Sequence, residues 1–134
     1  MYTSKNAKDI AQQFCQALGD RDLTLIMSLL AEDLDWYIPG NQDIATWTGR
    51  RSHRNEIRAV LQDLWNNTEP LSVRIDHVLA EKDFAVITGE FSTRMLSNMK
   101  IVESIFSIHI TVKNDLIVRY RLQEDSFAVV AALQ

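Results

Sequence analysis

The apolar residues of this chain change period once. Before Pro70 they recur every three or four positions, the spacing of one face of an α-helix; after Pro70 they recur every second position, the spacing of a strand. A chain patterned in this way has helices in its first half and a run of antiparallel strands in its second. That order defines an α+β domain, with a bent sheet wrapped on helices.

In the first half, Ala7, Ile10, Ala11, Phe14 and Leu18 form one apolar stripe, which predicts a helix over 4–19. Ser4 or Asn6 suits its start and Gly19 its end. A second helix is predicted over 22–31 from Leu23, Ile26, Met27 and Leu30. A short strand, 35–38, stops at Pro39-Gly40. A third helix spans 54–67, with Ile57, Val60, Leu61, Leu64 and Trp65 facing the core, and Pro70 closes this half.

In the second half, Val73, Ile75 and Leu79 alternate with Arg74 and Asp76, and strands follow over 84–93, 101–112 and 116–124. Residues 94–100 connect two of them. Glu81-Lys82-Asp83 and Lys113-Asn114-Asp115 are turns, and Asp125 caps a last helix over 126–133. On the strand 101–112, Phe106, Ile108, Ile110 and Val112 share the apolar face, which burial turns toward the helices. Glu103, Ser107, His109 and Thr111 take the other. A slip of one residue inverts both sets, so the register is well specified. On 116–124 the apolar face carries Val118, Tyr120, Leu122 and one carboxylate, Glu124.

Composition narrows the functions. A length of 134 residues suits a single domain over 1–134. The formal charge of -4 argues against nucleic acid, which needs a concentrated basic surface. The run Arg50, Arg51, His53, Arg54 is followed by Glu56 and Asp63 and reads as a solvated helix entrance. Cys15 is the sole cysteine, which excludes an intrachain disulfide and argues against a cysteine-based metal site. The histidines have no metal-ligand spacing, so neither metal nor cofactor is expected. No apolar run approaches the roughly 20 residues that span a bilayer. The start, MYTSKNAKDI, lacks the apolar core of a signal peptide. A cytoplasmic location without membrane contact is the expectation.

The segment 34–49, LDWYIPGNQDIATWTG, carries two of the 3 tryptophans, Trp36 and Trp47, at the ends of one loop. Large aromatics there suit the wall of a cavity for an apolar ligand. Three local patterns occur in order: Trp36-Tyr37-Ile38-Pro39-Gly40 with Trp47-Thr48-Gly49; the hairpin from Thr111 to Arg121; and Asp125-Ser126 opening a terminal helix. With the element order, they make the chain resemble the NTF2-like superfamily, in its SnoaL-like, ketosteroid-isomerase-related group. The resemblance implies a cone-shaped NTF2-like fold. Three N-terminal helices pack on a strongly bent, mainly antiparallel sheet, followed by a short C-terminal helix. It also implies a small apolar molecule at the open end and a homodimer through the sheet.

The resemblance implies little known chemistry. The isomerases of the group use a tyrosine and an acid as oxyanion donors and an aspartate as base. The matching positions here are Phe14, Ile108 and Ile38, none of which moves a proton. The epoxide hydrolases of the superfamily use an Asp–Arg–Asp arrangement; Glu90, Ser92 and Leu122 stand at those positions. The strand histidine of many SnoaL-like proteins falls at Ile108, with His109 on the outer face.

Glu90 and Glu124 remain as catalytic candidates, because a carboxyl in an apolar cavity titrates nearer neutrality. His77 shares the apolar parity of Val73 and Ile75 and reads as a core histidine; Trp65 reads as core of the third helix. The expected ligand-binding walls are Phe14, Leu18, Trp36, Ile38, Trp47, Ile108, Tyr120 and Leu122. Three functions stay open: binding of a small apolar molecule; acid–base catalysis (isomerase, cyclase or hydrolase type) on a polyketide- or terpenoid-like substrate through Glu90 or Glu124; and a non-catalytic dimeric assembly module.

Overall fold

The first helix starts where Asn6 leaves the extended region and its Oδ1 accepts the N–H of Asp9 at 2.8 Å, which satisfies one orphan donor. This helix, α1 (Ala7–Asp20), buries Ala7, Ile10, Ala11, Phe14 and Ala17. The computed structural model describes residues 6–134, so the alternative cap Ser4 lies outside the described residues. The helix runs through Gly19. The left-handed residue at its end is Arg21 (φ 52°, ψ 39°), whose backbone N–H returns to the carbonyls of Ala17 and Leu18. A side chain other than glycine pays about 1 kcal/mol for that conformation.

Asp22 then caps α2 (Leu23–Leu29), accepting the N–H of Leu25 at 3.1 Å. The helix is shorter than its periodicity suggests, because Leu30 already begins a strand, β1 (Leu30–Ile38). A further strand, β2 (Gly49–His53), pairs antiparallel with β1 through Tyr37–Arg50 and Ile38–Gly49. Its sequence GRRSH has no apolar alternation, so nothing in the period marks it as a strand. His53 and Glu56 form a reciprocal capping box for α3 (Arg54–Asn67), the helix expected at 54–67.

The remaining strands are β3 (Thr68–Glu81), β4 (Phe84–Met95), β5 (Ile101–Lys113) and β6 (Leu116–Glu124); α4 (Ser126–Ala132) closes the chain. The sheet has the order β2-β1-β6-β5-β4-β3. Only β1 and β6 run parallel. Pro70 does not end the helical half as the sequence suggests. It lies inside β3, where the missing donor is tolerated because β3 is an edge strand and its register shifts between Pro70 and Ser72. A second shift follows between Ile75 and His77, and others interrupt β1 and the β5–β6 pair. Such irregularities bend and twist a sheet. Asn114 and Asp115, both at positive φ, form the tight β5–β6 turn whose twist matches its strands.

The bent sheet turns one face toward the helices. Phe106, Ile108, Ile110 and Val112 on β5 are buried there, with Trp36 and Ile38 on β1 and Ile87 on β4. The result is the α+β, NTF2-like cone: three N-terminal helices on a bent, mainly antiparallel sheet, with a short helix at the C-terminus.

Candidate functional site

A cavity of about 710 Å³ lies between α1, α3 and the inner face of the sheet. From α1 come Gln12, Cys15, Gln16, Leu18 and Gly19, one helical stripe beside the apolar one. Leu64 and Trp65 of α3, with Ile38, Trp47, Phe91, Phe106, Ile108 and Leu122, form much of a largely apolar wall, to which β3 adds Val73, Ile75 and Val78. Val129 of α4 reaches its edge. Among the described residues the wall holds one carboxylate, Glu124, and one guanidinium, Arg21.

Of the residues the sequence proposes for the site, Leu18, Ile38, Trp47, Ile108, Leu122 and Glu124 stand on this wall. Phe14, Trp36 and Tyr120 sit one layer deeper. The Trp36 ring stacks on Tyr120 at 3.9 Å and 14°, and Phe14 meets Tyr120 edge-on at 5.4 Å. All three are buried, and they form the aromatic floor behind the cavity. Among the described residues the buried indole N–H of Trp36 has no hydrogen-bond partner, so stacking and buried area hold that ring.

Glu90 is on the other face. Gly89 takes the inward position opposite Phe106, so Glu90 points outward, pairs with Arg74 at 3.2 Å and is half exposed. The two residues border a shallow outer depression with Ser72, Ser92 and Glu103. His77 is likewise exposed: the shift after Ile75 turns it outward and puts Val78 on the cavity wall. His109 also faces out, with its Nε2 at 3.0 Å from Ser107 Oγ. Trp65, read as core, is half-buried and lines the cavity.

The ionisable groups at the cavity are displaced by burial. Desolvation, with a smaller contribution from the neighbouring Asp125 charge, raises the Glu124 carboxyl to about 7. Burial pushes the Cys15 thiol up to about 11, so it stays protonated at neutral pH and is a poor nucleophile. Tyr120 is shifted upward for the same reason and remains a phenol. Arg21 feels burial as well, which lowers its value without discharging it. Among the described residues no cluster of three or more His, Cys, Asp or Glu is arranged to hold a metal ion, and no helix is long and apolar enough to cross a membrane.

A bent sheet closed by helices around an apolar chamber is the architecture of the NTF2-like folds. The model of the SnoaL-like domain family matches residues 11–120, and the chain belongs to that family. An NTF2-like protein of unknown function from Burkholderia pseudomallei superposes with a TM-score of 0.87 at 17% identity, covering 97% of this chain and 98% of that one. One from Burkholderia xenovorans gives 0.85 at 22%, covering 98% and 100%. TerC, crystallised with polyporic acid, gives 0.80 at 15%, covering 93% and 95%. At these identities the likeness is one of fold. Among curated proteins there is no match.

Proposed function

We propose that this SnoaL-like domain binds a small, largely apolar organic molecule in the chamber between α1, α3 and the sheet. The observation that carries this reading is the chamber itself. At about 710 Å³, walled by Ile38, Trp47, Trp65, Phe106, Ile108 and Leu122, it has the size and lining of a small-molecule site. The TerC structure with polyporic acid supports it, since a protein of similar fold takes a compact organic compound. The neutral probe naphthalene-2-carboxamide is expected to raise the melting temperature. It should also quench tryptophan fluorescence, because Trp47 and Trp65 stand on the wall. Ile108→Trp, which fills the chamber, is expected to weaken that binding at least about tenfold. No stabilisation and no quenching in the unsubstituted protein would remove the reading.

A second reading makes Glu124 a general acid or base toward the bound molecule. It rests on the carboxyl titrating near 7 inside an apolar wall, where a group with that pKa gives and takes protons most readily. Glu90, held by Arg74 on the outer face, does not share this setting. The steroid-isomerase positions Phe14, Ile38 and Ile108 contribute no proton donor or acceptor side chain.

The reading includes one domain over 1–134 acting as a homodimer in the cytoplasm. The outer face of the sheet supports the dimer. Leu79 and Ile105 are 64% and 71% exposed, and Phe84 39%, beside the polar Ser107 and His109. Ile105→Asp is expected to give a monomer by sedimentation; a protein already monomeric at tens of micromolar would refute the dimer. The free, half-buried Cys15 suits a reducing compartment.

A further inference from the structure

We infer that the ligand of the chamber is an amphipathic anion, a mostly apolar molecule ending in a carboxylate or an acidic enol, whose charged end is held by Arg21. This inference rests on the chamber being a ligand site. Three observations carry it. Arg21 is the guanidinium on the wall. Its Nη1 donates to the carbonyl of Trp65 at 3.2 Å and its Nη2 to the carbonyl of Thr68 at 3.3 Å, with the guanidinium 5.8 Å from the centre of the Trp65 ring. These bonds fix the fork against the C-terminal end of α3 and use two of its five N–H groups.

Among the described residues the cation has no acidic counterpart. Among the described residues no carboxylate forms an ion pair with Arg21, although Arg74, Arg94, Arg119 and Arg121 each pair with one. The adjacent carboxylates are engaged elsewhere: Asp20 accepts from Gln16, and Asp22 caps α2. An anchored, partly desolvated guanidinium with free donors beside an apolar chamber is built to take an oxyanion. The backbone adds to this. The chain holds Arg21 in the left-handed conformation that glycine adopts at lower cost, and that conformation sets the side chain at the junction of α1, α2 and α3. The α3 caps explain where the guanidinium sits. They do not use the donors that remain.

The opposite polarity is supplied by Glu124, the other charged group of the wall. Below neutrality its carboxyl is largely protonated, so an incoming anion meets one cation and no anion.

The test compares naphthalene-2-carboxylate with naphthalene-2-carboxamide, which share shape and differ in charge, by calorimetry at pH 6. The carboxylate should bind about tenfold more tightly. Arg21→Gln should abolish that margin, so that the two probes bind it about equally. Arg21→Lys should keep part of the margin, since it keeps the charge but not the fork. Equal affinities for the two probes in the unsubstituted protein overturn the inference without recourse to a variant. So does a margin that survives Arg21→Gln. If neither probe binds the unsubstituted protein, the chamber is not a site for such molecules, and the proposed function falls with the inference. Binding of the amide with no gain for the acid overturns the inference alone.

Discussion

Gly89→Ala is expected to destabilise the protein by about 3 kcal/mol or more, a large part of the roughly 5–15 kcal/mol that holds a domain together. Gly89 is buried in the middle of β4, opposite Ile75 on β3 and Phe106 on β5. A Cβ placed there falls deep inside the carbonyl oxygen of Arg74 and within 2.9 Å of Phe106 Cζ. The phenyl ring can turn aside. The carbonyl belongs to the backbone of β3, so relief requires the edge strand to move as a unit. That approach lies next to the register shift between Ile75 and His77, where the sheet bends around the chamber. The substitution thus opposes the curvature itself. Thermal unfolding should show a fall of about 10 °C or more. Gly19→Ala is the control: beyond its chain neighbours and its own helix backbone, no described atom stands within 4 Å of an added Cβ, it lies inside α1, and the change should stabilise by about 0.5–1 kcal/mol. Two equal, small effects would show that the bend does not depend on Gly89.

The same glycine shows where reading from sequence runs out. The period of the apolar residues marks the halves of the chain, and α3 and β6 have the bounds that caps and turns predict. Period is blind to an irregular strand. In β3 the shifts after Pro70 and Ile75 reset the alternation, so His77 moves outward and Val78 inward. In β4 the inward place of Gly89 is invisible because glycine has no side chain to count, so alternation alone does not keep the outward-pointing Glu90 off the cavity face. Strand β2 carries no apolar pattern at all.

The candidate site divides in the same way. Ile108 and Leu122 follow from strand parity, Ile38 from the resemblance, and Trp47 from its place beside the loop. Depth does not follow from parity: Phe14, Trp36 and Tyr120 face the same way and are packed beneath the wall. Arg21 carries no pattern, because a left-handed arginine at a helix end is set by backbone geometry. The stripe Gln12, Cys15, Gln16, Gly19 was available as a signal. It recurs at helical spacing beside the apolar face, and it is polar or small because it borders a space rather than the core.

Glu124→Gln is expected to stabilise the protein at pH 8 and to change little near pH 4.5. The carboxyl lies near 7 in the folded protein and near its ordinary 4.5 when unfolded. Between these values the native state holds a proton that the unfolded state has released, so stability falls as pH rises through that window. Below about 4.5 both states are protonated and the residue costs nothing; above about 7 both are charged and the penalty is complete. A shift from 4.5 to about 7 sets an upper bound of about 3 kcal/mol on that penalty. Part of the side chain reaches solvent and reduces it. Glutamine carries no charge at either pH and so removes the slope. Urea unfolding at pH 4.5, 6 and 8 reads this directly: the two proteins should diverge with rising pH, with the variant the more stable. Parallel curves would mean that Glu124 titrates near its ordinary value in water, and the acid–base reading would then have no group to carry it. Divergent curves would leave a carboxyl that costs stability at neutral pH on a largely apolar wall.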